Sequence, residues 1–300
     1  MTRKKQRDEK LVANLTEMTR KQGQWREVLM RLVRNKVGML GVILCILLII
    51  LCAGAPLFTK WDPYEQAVIN KFIYPGREHI FGTDDFGRDL WARLIYGGRY
   101  SLLIAFGATC FSTCMGVILG SIAGYFGGRT DLIITRVLDV LQAIPSLLLA
   151  IAISSALGSG PFNTMLAISM GGIAGGARMM RSVVMSIRGN EFIEAAKATG
   201  SSNARTILTH VLPNTIAPLI INASLSIGGN IMSISGLSFI GLGVQAPTPE
   251  WGSILAVGKT YIRDFWPLVV FPSMFIAITI FGFNLFGDAL RDALDPKLKD

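Results

Sequence analysis

Charged residues are scarce in this chain of 300 residues, because only 16% are Asp, Glu, Lys or Arg. Soluble domains carry about a quarter of such residues. Hydrophobic residues make up 51% of the chain, and the mean hydropathy is +0.48. The apolar residues are clustered in runs close to the length of about 20 residues that a membrane-spanning helix needs. The composition therefore excludes an ordinary soluble domain and predicts an all-α polytopic membrane protein.

The sequence also lacks the motifs of an enzyme that acts alone. It has no Gly-x-x-x-x-Gly-Lys-[Ser/Thr] phosphate-binding loop. The glycine-rich stretch 171–176 lies inside an apolar run, where close helix packing explains it. The two histidines, His79 and His210, are isolated, so no Ser–His–Asp set can be argued. We therefore expect no catalytic residues, no metal site and no cofactor in this chain.

Cysteine is rare as well. The four cysteines are Cys45, Cys52, Cys110 and Cys114. All lie in apolar runs, whereas a disulfide framework or a zinc site needs thiols in polar loops with further ligands nearby. They are predicted to be small buried hydrophobic residues.

Six apolar runs predict six transmembrane helices. The spans are 38–58, 101–126, 132–157, 162–181, 215–243 and 266–288. The first span is uniformly apolar or small, which indicates a lipid-facing scaffold helix. Spans two to five are rich in small residues that allow close helix packing. The predicted organisation is a leader 1–37, a first span 38–58, an outer loop 59–100, a helical core 101–288 containing a loop 182–214, and a tail 289–300.

The distribution of Lys and Arg predicts the orientation. The predicted inner segments carry 21 of the 29 basic residues, and the outer segments carry 8. The positive-inside rule then gives an N-in, C-in topology. This rule also accounts for the net charge of +9, so we expect no nucleic acid partner. The basic leader is either an amphipathic helix on the membrane surface or a solvated segment without a further role.

The outer loop 59–100 contains a second helix signal. Thr83 can cap a helix whose first turn holds Asp84 and Asp85, and an apolar stripe follows. This pattern predicts an interfacial helix that leads into the second span. A calcium loop at Asp84, Asp85 and Asp89 is disfavoured, because the glycine and the distal glutamate of an EF-hand are missing.

The loop 182–214 is predicted to hold two short helices. Asn190 is a suitable N-cap, acidic residues Glu191 and Glu194 follow in the first turns, and Gly200 supplies the left-handed residue that ends a helix. A second helix, 203–211, is capped by one of the serines before it and should stop before the proline two residues later.

The first of these helices is suited to a soluble partner. Ala195 and Ala196 allow a partner groove to approach closely, and Glu194 offers a carboxylate to an arginine of that partner. The alternative is an ordinary connector at the membrane interface.

Span five carries a stripe of polar residues. Asn222, Ser226 and Asn230 are spaced at i, i+4 and i+8, so they lie on nearly one face of the helix. Polar residues inside a span are costly and tend to face water or the bundle interior. They are candidates for lining a translocation pathway, and interhelical hydrogen bonding is the equally open alternative.

Several motifs together resemble a known family. The series Glu194-Ala195-Ala196, Gly200, His210, Leu212-Pro213 resembles the cytoplasmic-loop signature of ABC importer permeases. The general signature favours Ile at the position of His210, where the peptide-importing branch often has His. Further resemblance to that branch lies in the segments 81–89, 143–145, 237–243 and 287–296. From about residue 30 to its end, the chain resembles the C-type permease subunit of dipeptide, oligopeptide and nickel transporters.

This resemblance implies a type I ABC importer permease fold in a bacterial cell membrane. It implies a B-type permease subunit, two ABC ATPase subunits that bind ATP and Mg, and an extracytoplasmic substrate-binding protein as partners. The residues implied in coupling to the ATPase are Glu191, Glu194, Ala195, Ala196, Gly200, His210, Leu212 and Pro213. The cargo would be a dipeptide or oligopeptide, or alternatively a nickel chelate or another small solute. A channel or scaffold without an ATPase is a reading of a different class.

Overall fold

The computed structural model describes residues 26–294, so the predictions for residues 1–25 of the leader and 295–300 of the tail lie outside the described residues. Within the described range the chain is helical apart from turns and one isolated bridge between Thr83 and Asp89. The predicted all-α class is therefore confirmed.

Residues 26–294 contain twelve α-helices. They are α1 (26–34), α2 (Lys36–Ala53), α3 (Ala55–Phe58), α4 (Leu90–Phe126), α5 (Gly128–Ala143), α6 (Ser146–Leu157), α7 (Pro161–Ile187), α8 (Glu191–Ala198), α9 (Asn203–Thr206), α10 (Leu212–Phe239), α11 (Trp251–Gly258) and α12 (Pro267–Leu294). Two 3₁₀ turns, at Val68–Asn70 and Lys259–Tyr261, lie in the outer segments.

The first span packs along one narrow stripe. Asn35 caps α2 by accepting a hydrogen bond from the Gly38 N–H at 3.0 Å. A Cβ atom on Gly38 would lie 2.1 Å from the Ala289 Cβ, so α2 approaches α12 closely. Its other faces expose apolar side chains such as Leu47 and Ile50. This arrangement is that of a helix with one packed side and a lipid-facing remainder.

The prediction for the cysteines is correct for only two of them. Cys45 and Cys52 are buried against the core, whereas Cys110 and Cys114 are exposed on α4. Phe106, four residues before Cys110 on α4, is also exposed, although its ring centre lies 5.7 Å from that of Phe283 on α12. The exposed face of α4 is apolar, so its exposure is compatible with lipid or another subunit.

A glycine seam joins α4 to α7. Gly116, Gly120 and Gly124 recur every four residues on α4, and a Cβ on Gly120 would lie 2.4 Å from the Ala177 carbonyl oxygen. On α7, Gly176 faces α4, where its Cβ would lie 3.8 Å from the Gly116 Cα. Small residues at this spacing let helix backbones approach in lipid. The packing role predicted for the glycines of span four thus applies to part of that cluster.

The predicted third span, 132–157, is broken in the structure. Helices α5 and α6 meet at an angle of 86°. Pro145 disfavours helical backbone at the residue before it, and Ile144 is accordingly extended at φ −95° and ψ 126°. The predicted span therefore consists of two helices that meet at Pro145, and whether this bent pair crosses the membrane as one span stays a prediction.

Four helices satisfy the length and composition of a membrane span. These are α2, α4, the continuous helix Asn203–Phe239 and α12, and the bent pair α5–α6 gives a fifth if it counts as one span. Helix α7 has 27 residues but contains Arg178, Arg181 and several glycines. The described residues therefore show four or five candidate spans where the sequence predicted six.

The second short helix does not end before Pro213 as predicted. Helix α9 continues through a wide turn, Ile207–Val211, into α10. In this turn the Leu212 N–H donates to the carbonyl of Ile207, five residues back. Pro213 then falls in the first turn of α10, where a missing N–H is tolerated.

The predicted helix start at Thr83 is also wrong. Helix α4 begins at Leu90, and its N-cap is Asp89, whose Oδ1 accepts from the Ala92 N–H at 2.7 Å. Asp84 instead accepts from the backbone N–H of Arg88 at 3.0 Å. This side-chain bond stabilises a turn in competition with a helix. Residues 90–100 consequently form the first turns of the long helix that becomes the second predicted span.

Candidate functional site

Helix α8 begins as predicted within the loop 182–214. Asn190 is extended at φ −75° and ψ 148°, and its carbonyl accepts from the Ile193 N–H at 2.9 Å. Its side chain makes no capping bond. Glu191 and Glu194 lie in the first turn, where carboxylates interact favourably with the helix dipole.

Gly200 terminates α8 two residues after its last helical residue, in the left-handed conformation that was predicted. Gly200 has φ +81°, its N–H donates to the Lys197 carbonyl at 2.9 Å, and the Ser201 N–H donates to the Ala196 carbonyl at 3.1 Å. This pair of bonds is a Schellman motif, which satisfies the last carbonyls of a helix. Ser202 then caps α9 by accepting from the Arg205 N–H at 3.4 Å.

The remaining residues of the loop signature lie at the entry to α10. His210 is half-buried in the wide turn, and its carbonyl accepts from the Asn214 amide at 2.7 Å. Leu212 is half-buried beside the inner core cluster, and Pro213 is exposed. These three residues therefore lie in the second half of the loop, and α9 separates them from α8 and Glu194.

The inner face of α8 holds the loop against the bundle. Ile193 is fully buried in a cluster with Met180 and Val184 of α7. Ala196 is only 8% exposed and belongs to the same inner face. The expectation that Ala196 is offered to a partner is therefore wrong, because its helical spacing of three residues from Ile193 turns it inward. Ala195 is exposed.

Polar contacts tie the loop to the end of α4. The Tyr125 hydroxyl donates to the Asn203 Oδ1 at 3.1 Å, and the Lys197 ammonium lies 5.1 Å from the centre of the Tyr125 ring. The Arg188 Nη1 donates to the Gly124 carbonyl at 3.1 Å. The position of α8 is thus set by α4 and α7 together.

The outer face of α8 is acidic and apolar. Glu191, Phe192, Glu194 and Ala195 are exposed there. Neither glutamate forms an ion pair with any residue in the range 26–294. The carboxylates of this face can accept bidentate hydrogen bonds from an arginine of another protein. The small side chain of Ala195 allows that protein to approach closely.

The structure gives two of the three pathway candidates a hydrogen-bonding role. The Ser226 Oγ donates to the Asn222 carbonyl of its own helix at 2.7 Å, and the Asn230 amide donates to the Thr109 Oγ1 on α4 at 2.8 Å. All three candidates are half-buried. The bond of Asn230 fits the interhelical alternative, and the pathway role of the stripe stays a prediction.

Sequence reasoning missed the buried carboxylate of Glu250. It caps α11 by accepting from the Ser253 N–H at 2.9 Å, and it accepts from the Ser101 Oγ of α4 at 2.9 Å. Burial raises the pKa of this carboxyl above its ordinary value. The Pro-Glu-Trp sequence, an acidic residue directly before an apolar helix, was the available signal. Among the described residues, no group of three or more His, Cys, Asp or Glu could hold a metal.

Together these features define a helical membrane component that presents a loop with an acidic outer face between two long helices. Comparison with family models agrees with this class. Residues 116–300 match the family described as "binding-protein-dependent transport system inner membrane component", and residues 23–75 match the "N-terminal TM domain of oligopeptide transport permease C". The chain therefore belongs to the family of binding-protein-dependent transport system inner membrane components.

Curated relatives cover nearly the whole chain. The dipeptide transport system permease protein DppC of Alkalihalophilus pseudofirmus is 44% identical over 92% of this chain and 90% of its own length. The di/tripeptide transport system permease protein DppC of Pseudomonas aeruginosa is 42% identical over 88% and 89%. The oligopeptide transport system permease protein OppC of Bacillus subtilis is 37% identical over 92% and 90%.

A solved structure supports the fold independently. A chain of the MetNI methionine ABC transporter, in an inward-facing conformation, superposes with a TM-score of 0.55 at 17% identity, over 68% of this chain and 97% of the other. The fold is therefore similar to that of an ABC importer permease. The protein is a non-catalytic inner membrane component that works with an ATPase and a binding protein, in agreement with the sequence analysis.

Proposed function

We propose that this protein is a permease subunit of an ATP-driven importer for dipeptides or oligopeptides. It would form half of the translocation pathway and receive the ATP-driven movement through the loop 182–214. The identities of 37–44% to peptide permeases, over about nine-tenths of the chain, support this choice of cargo. The observation that carries the coupling role is the outer face of α8, where Glu191 and Glu194, which have no ion-pair partner among residues 26–294, lie beside exposed Ala195.

The partners would be a B-type permease subunit, two ABC ATPase subunits and an extracytoplasmic substrate-binding protein. ATP and Mg would be bound by the ATPases. The chain would cross the membrane six times in a type I importer fold, with both ends inside. The bent pair α5–α6 would serve as the third span and α7 as the fourth.

The packing of α7 supports its role as a span. Its 27 residues correspond to about 40 Å, enough to cross a bilayer. The glycine seam keeps α7 beside α4, a candidate span by composition. Arg181 donates to both carboxylate oxygens of Asp131, and Arg178 donates to Asp139 at 2.5 Å. These pairs reduce the cost of placing arginines near the end of a span.

Within the loop, we assign direct ATPase contact to the exposed residues Glu191, Glu194 and Ala195. Gly200 would act through the Schellman motif that fixes the end of α8. His210, Leu212 and Pro213 would orient the wide turn into α10, so that a displacement of α8 reaches the predicted pathway helix. Ala196 would act from within, by packing the helix onto the bundle.

Cysteine cross-linking tests the contact directly. In the assembled complex, Ala195→Cys should form a cross-link with a cysteine placed in the ATPase surface, because Ala195 is exposed. The matched control is Ala196→Cys on the next residue, which is 8% exposed and should cross-link weakly or not at all. Equal cross-linking of both residues, or of neither, would contradict the assigned face.

Uptake measurements test the coupling. Glu194→Arg reverses the charge of the outer face, and Gly200→Val forces a branched side chain into φ +81°. Both variants should insert into the membrane normally but lose ATP-dependent uptake of a labelled dipeptide in proteoliposomes containing the complex. Normal uptake in both variants would remove the coupling role. Uptake of a nickel chelate in place of any peptide would retain the coupling role and correct the cargo.

A further inference from the structure

A cavity of about 560 Å³ lies between the segment after α2 and the start of α4. The wall on α4 consists of Tyr96, Arg99, Tyr100 and Leu103, whose spacing of i, i+3, i+4 and i+7 places them on one helix face. The segment 56–64 contributes most of the opposite wall.

The hydrogen bonds of Arg99 place this cavity beside the outer end of the first span, α2. The Arg99 Nε and Nη2 donate to the carbonyls of Cys52 and Ala53 at 2.8 and 2.7 Å, at the end of α2. Because α2 is a candidate span, the cavity opens where that span leaves the hydrocarbon. Tyr125, which holds the loop 182–214, lies roughly 38 Å along α4 from Tyr100 at 1.5 Å per residue. The cavity and that loop are therefore at opposite membrane surfaces.

The polar lining is suited to an anion. The Lys60 side chain is exposed with its ammonium 4.9 Å from the Trp61 ring centre, and it has no ion pair among residues 26–294. Arg99 adds a second cation. The carboxylate of Asp62 also lines the cavity, but it accepts from the Tyr64 N–H at 2.7 Å within its own turn.

Aromatic and apolar groups complete the lining. Trp61, Tyr64, Tyr96 and Tyr100 are the amphipathic rings that concentrate at membrane interfaces. Burial and a hydrogen bond with Tyr100 raise the pKa of Tyr64 to about 12. Leu103 lies in the wall with 71% of its surface exposed. A ligand with both an anionic head and an apolar tail would match these groups.

We propose that this cavity binds the head group of an anionic phospholipid, such as phosphatidylglycerol, in the leaflet opposite the coupling loop. Lys60 and Arg99 would hold the phosphate, the tyrosine hydroxyls would bind the glycerol oxygens, and an acyl chain would follow Leu103 into the hydrocarbon. Free phosphate could use the same cations but not Leu103. The site depends on α2 and α4 crossing the membrane and is independent of the transported solute.

Photo-cross-linking of the purified transporter complex tests this site. Phosphatidylglycerol with a photoreactive acyl chain should label peptides that contain residues 96–103, where Leu103 lines the cavity. Lys60→Gln should lower this labelling about fivefold, the effect of one basic charge at an anionic membrane surface. The matched control is Arg77→Gln, which removes an exposed cation of the same outer segment away from the cavity and should leave labelling unchanged.

A second variant distinguishes a lipid from a simple anion. Leu103→Ser should also reduce labelling, and excess inorganic phosphate should compete poorly with the lipid. Unchanged labelling in Leu103→Ser together with full competition by phosphate would identify an anion site and overturn the lipid assignment. Labelling in the separate chain but not in the complex would show that another subunit covers the cavity, and it would overturn the proposal too.

Discussion

At the scale of single residues, the adjacent carboxylates Asp84 and Asp85 have opposite environments. Asp84 accepts from the Arg88 Nε at 2.7 Å, and the Arg93 Nε lies 3.2 Å from the same carboxylate oxygen. Asp85 lies 3.5 Å from Arg88, and its buried Oδ1 has no hydrogen-bond partner. Burial, followed by the charge of Asp84, raises the pKa of Asp85 above its ordinary value. The first carboxylate therefore stabilises the outer segment, whereas the second is ionised at a cost.

The two substitutions to asparagine should have opposite effects. Asp84→Asn leaves two buried arginines without their main partner, which costs about 3–5 kcal/mol. Asp85→Asn removes a charge whose folded-state pKa is raised, so it should raise the melting temperature at pH 7.5. The native protein loses folding stability as the pH rises through the raised pKa of Asp85. The advantage of Asp85→Asn should therefore shrink as the pH is lowered through the raised pKa of Asp85.

Thermal unfolding of the detergent-solubilised complex between pH 5 and 8 measures both effects. The two variants serve as each other's control, since they remove the same charge from neighbouring positions. A destabilised Asp85→Asn at pH 7.5, or an advantage that grows as the pH falls, would contradict this account.

At the scale of elements, the seam between α4 and α7 depends on the absence of side chains. A Cβ on Gly124 would lie 2.8 Å from the Arg181 carbonyl, and a Cβ on Gly120 would lie 2.7 Å from the Met180 Cβ. Gly175 lies on α7, but a Cβ atom added to it would have no heavy atom within 4 Å. The same residue type thus has a packing role at one position and none at the other.

Gly120→Val should force α4 and α7 apart. Overpacking of a tight interface costs about 1–3 kcal/mol, and contact with backbone atoms leaves little room for relaxation. We expect a lower melting temperature and reduced assembly with the partner subunits, measured by thermal unfolding and by co-purification. Gly175→Val introduces the same side chain on the open side and should stay close to the native values. Equal destabilisation by both variants would show that helix propensity, and not packing, is responsible.

The differences between the elements and their prediction have local physical causes. The apolar runs located α2, α7, α10, α12 and most of α4, and the caps of α8 followed from Asn190 and Gly200. The break at Pro145 was missed because a proline within a span is compatible with a small kink or a sharp bend, and packing decides between them. The inward position of Ala196 was missed because the face of a short helix depends on neighbours distant in sequence. The cavity beside Arg99 combines segments that only the fold brings together.

At the scale of the whole molecule, α4 connects the two membrane surfaces. Its 37 residues span about 55 Å. Near its start, Arg93 pairs with Asp84 and its Nη1 donates to the Pro63 carbonyl at 2.9 Å. At its end, Tyr125 bonds the loop 182–214. One rigid helix therefore links the outer segment to the loop proposed to contact the ATPase.

Tyr125→Phe tests whether this link transmits movement to α8. The variant keeps the ring beside Lys197 but removes the hydroxyl that donates to Asn203. Loss of one hydrogen bond of about 1 kcal/mol should increase hydrogen exchange in residues 190–203 about fivefold. ATP-dependent peptide uptake should fall while the melting temperature of the complex changes little. Tyr74→Phe is the matched control, because it removes a hydroxyl that donates to the Asp264 carbonyl at 2.9 Å on the outer side. If the two variants leave exchange in the loop equally unchanged, then apolar packing of Ile193 alone holds α8 on the bundle.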